Sequence, residues 1–263
     1  MNLTQIPSKG ELASFIRSAF IPQEGYKFVG GDFSSCELRI IADQSKDPVW
    51  LEAYDRDEDL HSKLASLTFD IPIEDVKNPT PFKPDMTYRD VQKTINFGLA
   101  YGMSEYKLSK TIDVSVDVAK ELIDKFFTQV PQVKNYLNNL GRFAIAHNFA
   151  VTPPPFKRRR YFEDPGSDFS KIGNIERAGK NHPIQGGNAD LTKASLVLIR
   201  NYIIEHNIDV KIVNVIHDEI ITECKNELAE EWKPIMESLM IQAAQIVIKN
   251  VPVKVDCKIT EYW

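Results

Sequence analysis

The segments with strand character stand toward the two ends of the chain, and the long middle reads as helix. Tyr26 to Phe33 (YKFVGGDF) has the composition of a strand, with Gly30 and Gly31 near its end and Asp32 at its exit. Far along the chain, Val210 to Ile216 and Ile220 to Cys224 are β-rich runs separated only by His217-Asp218-Glu219, which predicts a hairpin with acids at its tip. Val253 to Ile259 (VKVDCKI) alternates like a final strand. Ser34 can cap a helix from Cys36 and Glu37, and Asp59 to Phe69 reads as a short amphipathic helix. The three prolines of Asn78 to Pro84 end that run. Thr87-Tyr88-Arg89-Asp90 then has the form of a capping box, opening a helix to about Tyr101. Further helices are expected at Val116 to Phe127, Val133 to Asn148, Asp190 to His206 and Leu228 to Lys249, with Val151 to Asn174 as a long loop. Helices mixed with antiparallel strands give an α+β class.

With 43% hydrophobic residues in 263, the chain can bury a large core, which excludes disorder. No apolar run approaches the roughly 18 residues of a membrane helix, and Met1 to Phe20 lacks the layout of a signal peptide. An intracellular protein with no membrane partner is expected, in the cytoplasm or nucleoid of a bacterium or of a virus-infected cell. Cys36, Cys224 and Cys257 have no short CxxC spacing, which argues against a disulfide framework or zinc site. The net charge of −5 does not advertise a nucleic-acid binder, so any such role must rest on local patches. Acids cluster from Asp43 through Asp47, Glu52, Asp55, Asp57, Glu58 and Asp59, and the largest basic run is Lys157-Arg158-Arg159-Arg160, after Pro153-Pro154-Pro155. Both runs read plainly as solvated surface.

Three constellations carry chemistry. Asp32 and Asp218 each stand at a strand end. If the two tips adjoin in one sheet, their carboxylates can hold two Mg²⁺ ions about 3.5–4 Å apart, an arrangement suited to phosphoryl transfer. Arg89, Lys93, Phe97 and Tyr101 recur every fourth residue, which a helix places on one stripe about 18 Å long. Two cations leading to two rings match a phosphate chain leading to a sugar and base. The plain alternative is a solvated basic end merging into a buried aromatic one. Arg177, Asn181 and Gln185 repeat the spacing, but Pro183 interrupts it and favours a loop entering a helix. Such planar groups suit minor-groove edges, or simple loop hydrogen bonding. His61 and His217 lack metal-ligand spacing.

Taken together these residues resemble the family A DNA polymerases. Asp32-Phe33-Ser34-Ser35-Cys36-Glu37-Leu38-Arg39 is similar to the family's first polymerase motif. Arg89-x3-Lys93-x3-Phe97-Gly98-x2-Tyr101-Gly102 is similar to the second, and Val215-Ile216-His217-Asp218-Glu219 to the third. Their order and spacing agree, and Asn2 to Pro7 is similar to the segment leading into the palm.

The resemblance implies a right-hand fold with a palm from residues 1–40 and 175–263 and helical fingers from 41–174. It implies a DNA-templated polymerase, with primer-template DNA, dNTPs and two Mg²⁺ ions as ligands. Asp32, Asp218 and the Phe33 carbonyl would bind the metals, and Lys93 would join the two aspartates as a catalytic group. Arg89, Lys93 and His61 would contact phosphates, Phe97 and Tyr101 the sugar and the insertion site, and Glu37 would exclude a 2′-hydroxyl. Arg177, Gln185 and His217, with Asn181 beside them, would touch the primer-template. Glu219 would lie by the metals.

Some features depart from the family. Ser35 and Cys36 replace a polar and a branched aliphatic residue, and Phe156-Lys157-Arg158-Arg159 stands where a Gly-Arg turn is usual. The family's thumb and exonuclease-like domain would precede residue 1, so the chain is expected to be the catalytic part of a split or larger polymerase. A separate thumb- and exonuclease-bearing protein or other replication protein, or a segment removed upstream of Met1, would dock near Asn2 to Pro7. The alternative to a polymerase is a non-catalytic nucleic-acid-binding replisome subunit that retains the fold.

Overall fold

The computed structural model describes Ile6 and residues 10–263. In chain order the elements are α1 (Glu11–Arg17), β1 (Tyr26–Phe33), α2 (Cys36–Ser45), α3 (Pro48–Asp55), α4 (Leu60–Phe69), α5 (Tyr88–Ala100), α6 (Glu105–Ile112), α7 (Val116–Gln129), α8 (Pro131–His147), β2 (Phe149–Val151), β3 (Arg159–Tyr161), α9 (Phe169–Glu205), β4 (Val210–Ile216), β5 (Glu219–Lys225), α10 (Ala229–Ala244) and β6 (Val255–Thr260). They form two compact units, one of Met1–Cys36, Asn188–Val247 and Val253–Trp263, the other of Glu37–Gly187 and Ile248–Pro252. No helix among the described residues is long and apolar enough to cross a membrane.

The first unit is built on an antiparallel sheet of order β4-β5-β1-β6. Alternation along β1 sends Val29, Gly31 and Phe33 to a buried side. A Cβ on Gly31 would stand 2.6 Å from the Met240 sulfur, so the missing side chain is what lets α10 approach the strand. Trp232 of α10 is fully buried and donates from Nε1 to Thr222 Oγ1 at 2.8 Å, and that hydroxyl donates to the Val29 carbonyl at 3.0 Å. Burying a ring of that size, about 200 Å², contributes roughly 5 kcal/mol before entropy is counted. The opposite side is covered only in part, where Phe28, Ile216, Ile221 and Trp263 cluster with Ile6 and Phe20. Of the opening segment Asn2 to Pro7, only Ile6 lies among the described residues.

In the second unit helix starts follow cap chemistry. Asp59, Thr87, Ser104 and Ser115 each accept a backbone N–H at the head of α4, α5, α6 and α7, and Thr87 with Asp90 completes the capping box. Along α5, Val91, Ile95 and Leu99 are buried, which turns the stripe of Arg89, Lys93, Phe97 and Tyr101 outward.

The structure corrects several expectations. The acidic cluster is not all solvated surface. Asp47 is fully buried, accepts from the Val49 N–H at 3.1 Å, and with its other oxygen accepts from the Gln132 N–H at 3.1 Å, capping α3 and α8 together. Asp43 accepts the N–H groups of Lys249 and Asn250 at 2.7 and 2.6 Å, and α10 ends at Ala244, so Lys249 lies beyond the helix expected to reach it. The expected loop from Val151 to Asn174 holds the returning strand of a hairpin, with Phe149, Ala150 and Val151 opposite Tyr161, Arg160 and Arg159, and the first residues of α9. Pro183 does not divide α9, which runs through it for 37 residues. A proline costs an interior helix about 3 kcal/mol, and burial of Pro183 and Ile184 offsets this, as does the close seat of α8 at Gly179, where a Cβ would lie 2.3 Å from that of Ala144. All three cysteines are buried, and burial first raises the Cys224 and Cys257 thiols to about 11 and 12.

Candidate active site

In the first unit, strand register brings acids together that are remote in sequence. Asp32 on β1 is paired on one side with Glu219 of β5 and on the other with Asp256 of β6. Directly opposed residues share a face, so three carboxylates form a row across three strands. Asp218 occupies the β4–β5 turn next to Glu219, where His217 takes a left-handed φ of 56° and is exposed. Asn188 at the start of this unit's part of α9 donates to Asp218 Oδ2 at 3.5 Å. Glu219 accepts from Trp263 Nε1 at 3.3 Å. The conditional adjacency of the two acidic tips is thus met by the sheet, which adds Asp256, a residue the motifs did not contain. Its signal was present in the alternation of VKVDCKI, but no rule of sequence says which strand flanks β1.

Partial burial, followed by repulsion from Asp218, Glu219 and Asp256, raises the Asp32 carboxyl to about 6, with Lys258 opposing the rise. Such a carboxylate gains from a cation. Among the described residues no three His, Cys, Asp or Glu side chains are grouped to hold a metal ion. The donor set nevertheless fits Mg²⁺, which is commonly held by one or two carboxylates and completes its shell with water and substrate phosphates. Phe33 ends β1 with its ring buried, which leaves only its main chain for such a role. Beside the acids lies a cleft of about 230 Å³ floored by Gly30 and flanked by Arg17, Lys258 and Thr260.

The second unit carries the cationic and aromatic stripe. Arg89 makes a two-pronged ion pair with Asp59, Nε to Oδ2 at 2.6 Å and Nη2 to Oδ1 at 3.0 Å. Burial pushes the Asp59 carboxyl up, but hydrogen bonds from Arg89 and Ser62 outweigh it and hold the group at about 2. Lys93 is exposed one turn further on. Phe97 lies 5.7 Å from the His61 ring and 6.3 Å from the Tyr101 ring, centre to centre. The Tyr101 hydroxyl donates to Glu37 Oε2, tying the end of α5 to the first turn of α2.

His61 is buried, and burial first, then the charges of Arg89 and Lys93, lower its pKa to about 4 against the pull of Asp59. Gln92 Nε2 donates to Asn96 Oδ1 at 2.7 Å, so Asn96 Nδ2 is the donor toward His61 Nδ1 at 2.9 Å. The ring is therefore neutral at pH 7 with its proton on Nε2, a donor without charge. A folded pKa below the unfolded value near 6.5 means that stability is complete above 6.5 and is lost as pH falls toward 4. Lowering the pH from 7 to 5 is expected to remove about 2 kcal/mol through this group. His61→Gln should shrink that drop in urea unfolding midpoints, and an unchanged drop would refute the assignment.

Because α9 is helical through Pro183, Arg177, Asn181 and Gln185 stand on one face, with Arg177 and Gln185 exposed and Asn181 half-buried. The loop placement expected for them is corrected. Arg177 lies against Gly102, where a Cβ would be 3.0 Å from its Cγ, and lines a cleft of about 350 Å³ with Tyr101 and Lys107. Asn181 Oδ1 is buried and finds no hydrogen-bond partner among the described residues.

The family model for DNA polymerase family A matches residues 1–263. DNA polymerase I of Caldicellulosiruptor bescii is 35% identical over 263 residues, 100% of this chain and 29% of that protein. DNA polymerase I of Pseudomonas aeruginosa is 34% identical over 263 residues, 100% of this chain and 27% of that protein. The chain thus spans less than a third of these relatives. Among solved structures it is similar to the POL domain of Pol1 from M. smegmatis in complex with DNA primer-template and dNTP, at a TM-score of 0.89 and 31% identity over 99% of this chain and 44% of that one. With its mixed helices and antiparallel sheet and a match along its whole length, the chain belongs to DNA polymerase family A.

Proposed function

We propose that this chain adds deoxynucleotides to a primer 3′-hydroxyl under the direction of a template strand, with residues 1–40 and 175–263 as palm and 41–174 as fingers. One observation carries the reading: the row of Glu219, Asp32 and Asp256, with Asp218 at the adjoining turn, concentrates carboxylates on one face of a sheet. Asp32 and Asp218, with the Phe33 carbonyl, would hold two Mg²⁺ ions. When bound, these ions supply Lewis-acid activation of the hydroxyl and charge neutralisation at the phosphates. Arg89 and Lys93 would bind the triphosphate, Arg89 exchanging Asp59 for it, and the neutral His61 would donate from Nε2. Phe97 and Tyr101 would take the sugar and base, with Glu37 against the 2′ position. Arg177, Asn181, Gln185 and His217 would line the primer-template. The test is primer extension by the purified chain with Mg²⁺ and each dNTP, and absence of template-directed addition would overturn the reading.

Phe97 has no hydroxyl to offer a nucleotide that lacks its own 3′-OH. Phe97→Tyr is expected to improve dideoxynucleotide use relative to dNTP about tenfold or more, read as a ratio of incorporation efficiencies. An unchanged ratio would remove Phe97 from the sugar site.

At a net charge of −5 the chain has little electrostatic hold on duplex DNA, for which phosphate contacts supply most non-specific affinity. We propose that a thumb-bearing protein adds that hold and any proofreading. The chain alone should extend primers distributively at low salt and stall near about 0.15 M, where screening is strong. Long products from the chain alone at that salt would disprove the need for a partner.

A further inference from the structure

The hairpin of β2 and β3 carries groups that the proposed chemistry does not use. Its register sets Phe149 opposite Tyr161 and Val151 opposite Arg159, so these four share one side, and Arg160 points to the other. The turn between the strands is anchored. Thr152 N donates to the Arg158 carbonyl at 2.9 Å, Arg158 N donates to Thr152 Oγ1 at 3.0 Å, and the Arg158 guanidinium donates to the Gly186 carbonyl at 2.9 Å. Arg158 is therefore a strut.

The next two arginines are different. The Arg159 guanidinium lies 4.8 Å from the centre of the Phe149 ring and that of Arg160 5.6 Å from Phe162, and among the described residues neither has a carboxylate within ion-pair distance. A guanidinium stacked on a ring keeps its N–H edges available for an outside anion. Tyr161 sits 5.9 Å from Phe149, which Phe143 supports edge-on at 5.3 Å, and Tyr161 is 70% exposed. Phe156 in the turn is 40% exposed. The rings are thus held from beneath and open above, beside charge that no carboxylate among the described residues neutralises.

We propose that this hairpin is a binding site for single-stranded DNA, in which a base stacks on Tyr161 and flanking phosphates meet Arg159 and Arg160. Duplex DNA would use the cations and leave the rings idle, because its bases are already stacked. An acidic peptide would likewise answer only the charge. A single strand offers both a ring face and a phosphate at each residue, the combination that stacking platforms with cationic borders take up. Identifying the strand as the unpaired 5′ part of a template rests on the polymerase reading, whereas the binding itself does not.

The test is fluorescence anisotropy of the purified chain with a duplex bearing a 5′ oligothymidine tail, against a blunt duplex, with 2-aminopurine placed in the tail as a stacking reporter. The chain should quench the reporter and prefer the tailed duplex. Tyr161→Ala should abolish quenching and weaken tailed binding about tenfold while leaving blunt binding unchanged, and Tyr161→Phe should retain both. Arg159→Ala with Arg160→Ala should reduce the salt slope by about two phosphate contacts. Quenching that survives Tyr161→Ala, an equal loss on blunt DNA, or displacement of the tail by polyglutamate as readily as by oligothymidine would each overturn the proposal. No nucleotide addition is needed, so a chain that binds the tail but extends no primer would keep this site and lose the polymerase reading.

Discussion

Asp32→Asn is expected to lower nucleotide addition on the order of a thousandfold while raising the thermal midpoint of the protein. The two effects have one cause. Asp32 is partly buried and stands beside Glu219, Asp256 and Asp218, so burial first and repulsion second disfavour its charge in the folded chain, and its pKa stands at about 6 instead of 3.8. A raised carboxyl pKa means that the ionised group opposes folding, and the opposition grows as pH rises from 3.8 through about 6. The neutral amide removes that repulsion and with it the anchor for a cation that stabilises the charge developing in the reaction. The gain in midpoint should be present at pH 7 and shrink as pH approaches about 4. Asp218→Asn should abolish activity to a similar degree, and the double variant should lose little more than either single one, because groups serving one pair of ions act as a unit. An Asp32→Asn chain that extends primers at an unaltered rate would end the two-metal proposal, and one that is less stable at pH 7 would show that the row of acids is not repulsive.

Glu37→Ala is expected to erase roughly a hundredfold of the preference for deoxyribonucleotides over ribonucleotides, in proportion to the space it opens. Glu37 lies in the first turn of α2, where the helix dipole favours its charge, and the Tyr101 hydroxyl donates to it from the end of α5. The carboxylate is thereby held in place, and a held group excludes a hydroxyl better than a mobile one. Tyr101→Phe keeps the ring and removes the donor, so it should relax sugar selection by less than Glu37→Ala does. The measurement is the ratio of incorporation efficiencies for matched dNTP and rNTP. Should Glu37→Ala lower the thermal midpoint and leave that ratio unchanged, the pair is a strut between two helices and nothing more.

Much of this arrangement could be read from local chemistry. The capping box at Thr87, the Asp59 cap and the strand-turn-strand pattern around His217 and Asp218 depend on residues near in sequence, and each element begins where its cap or turn requires. The helix α6 was missed although Ser104 caps it, because eight residues hold too few turns for a period to stand out. Asp43 and Asp47 looked like solvated charge because the Lys249 and Gln132 N–H groups that they satisfy lie more than 80 residues away, and among their backbone partners only the Val49 N–H on Asp47 is local. Pro183 was misjudged for a related reason: the rule that proline ends a helix is local, whereas the packing of α8 at Gly179 that overrides it is not. In the candidate site, motif spacing reached Asp32 and Asp218, but Asp256 and the Asp59–Arg89 pair emerged only from strand order and helix packing.

The sheet order also bears on how the protein is made. The strand β1 pairs with β5 and β6, whose first residues follow Asp32 by 187 and 223 positions (219 − 32 and 255 − 32). A ribosome adding about 5–20 residues each second needs roughly 10–40 s to deliver β5 after β1 has emerged. Over that interval the helices of α3 to α8, whose contacts are near in sequence, can fold as they appear, while the apolar strand YKFVGGDF waits without hydrogen-bonding neighbours. The nascent chain therefore passes through a long stage in which this strand is bare, the stage at which a holding chaperone would act and at which crowded translation would favour pairing between neighbouring copies.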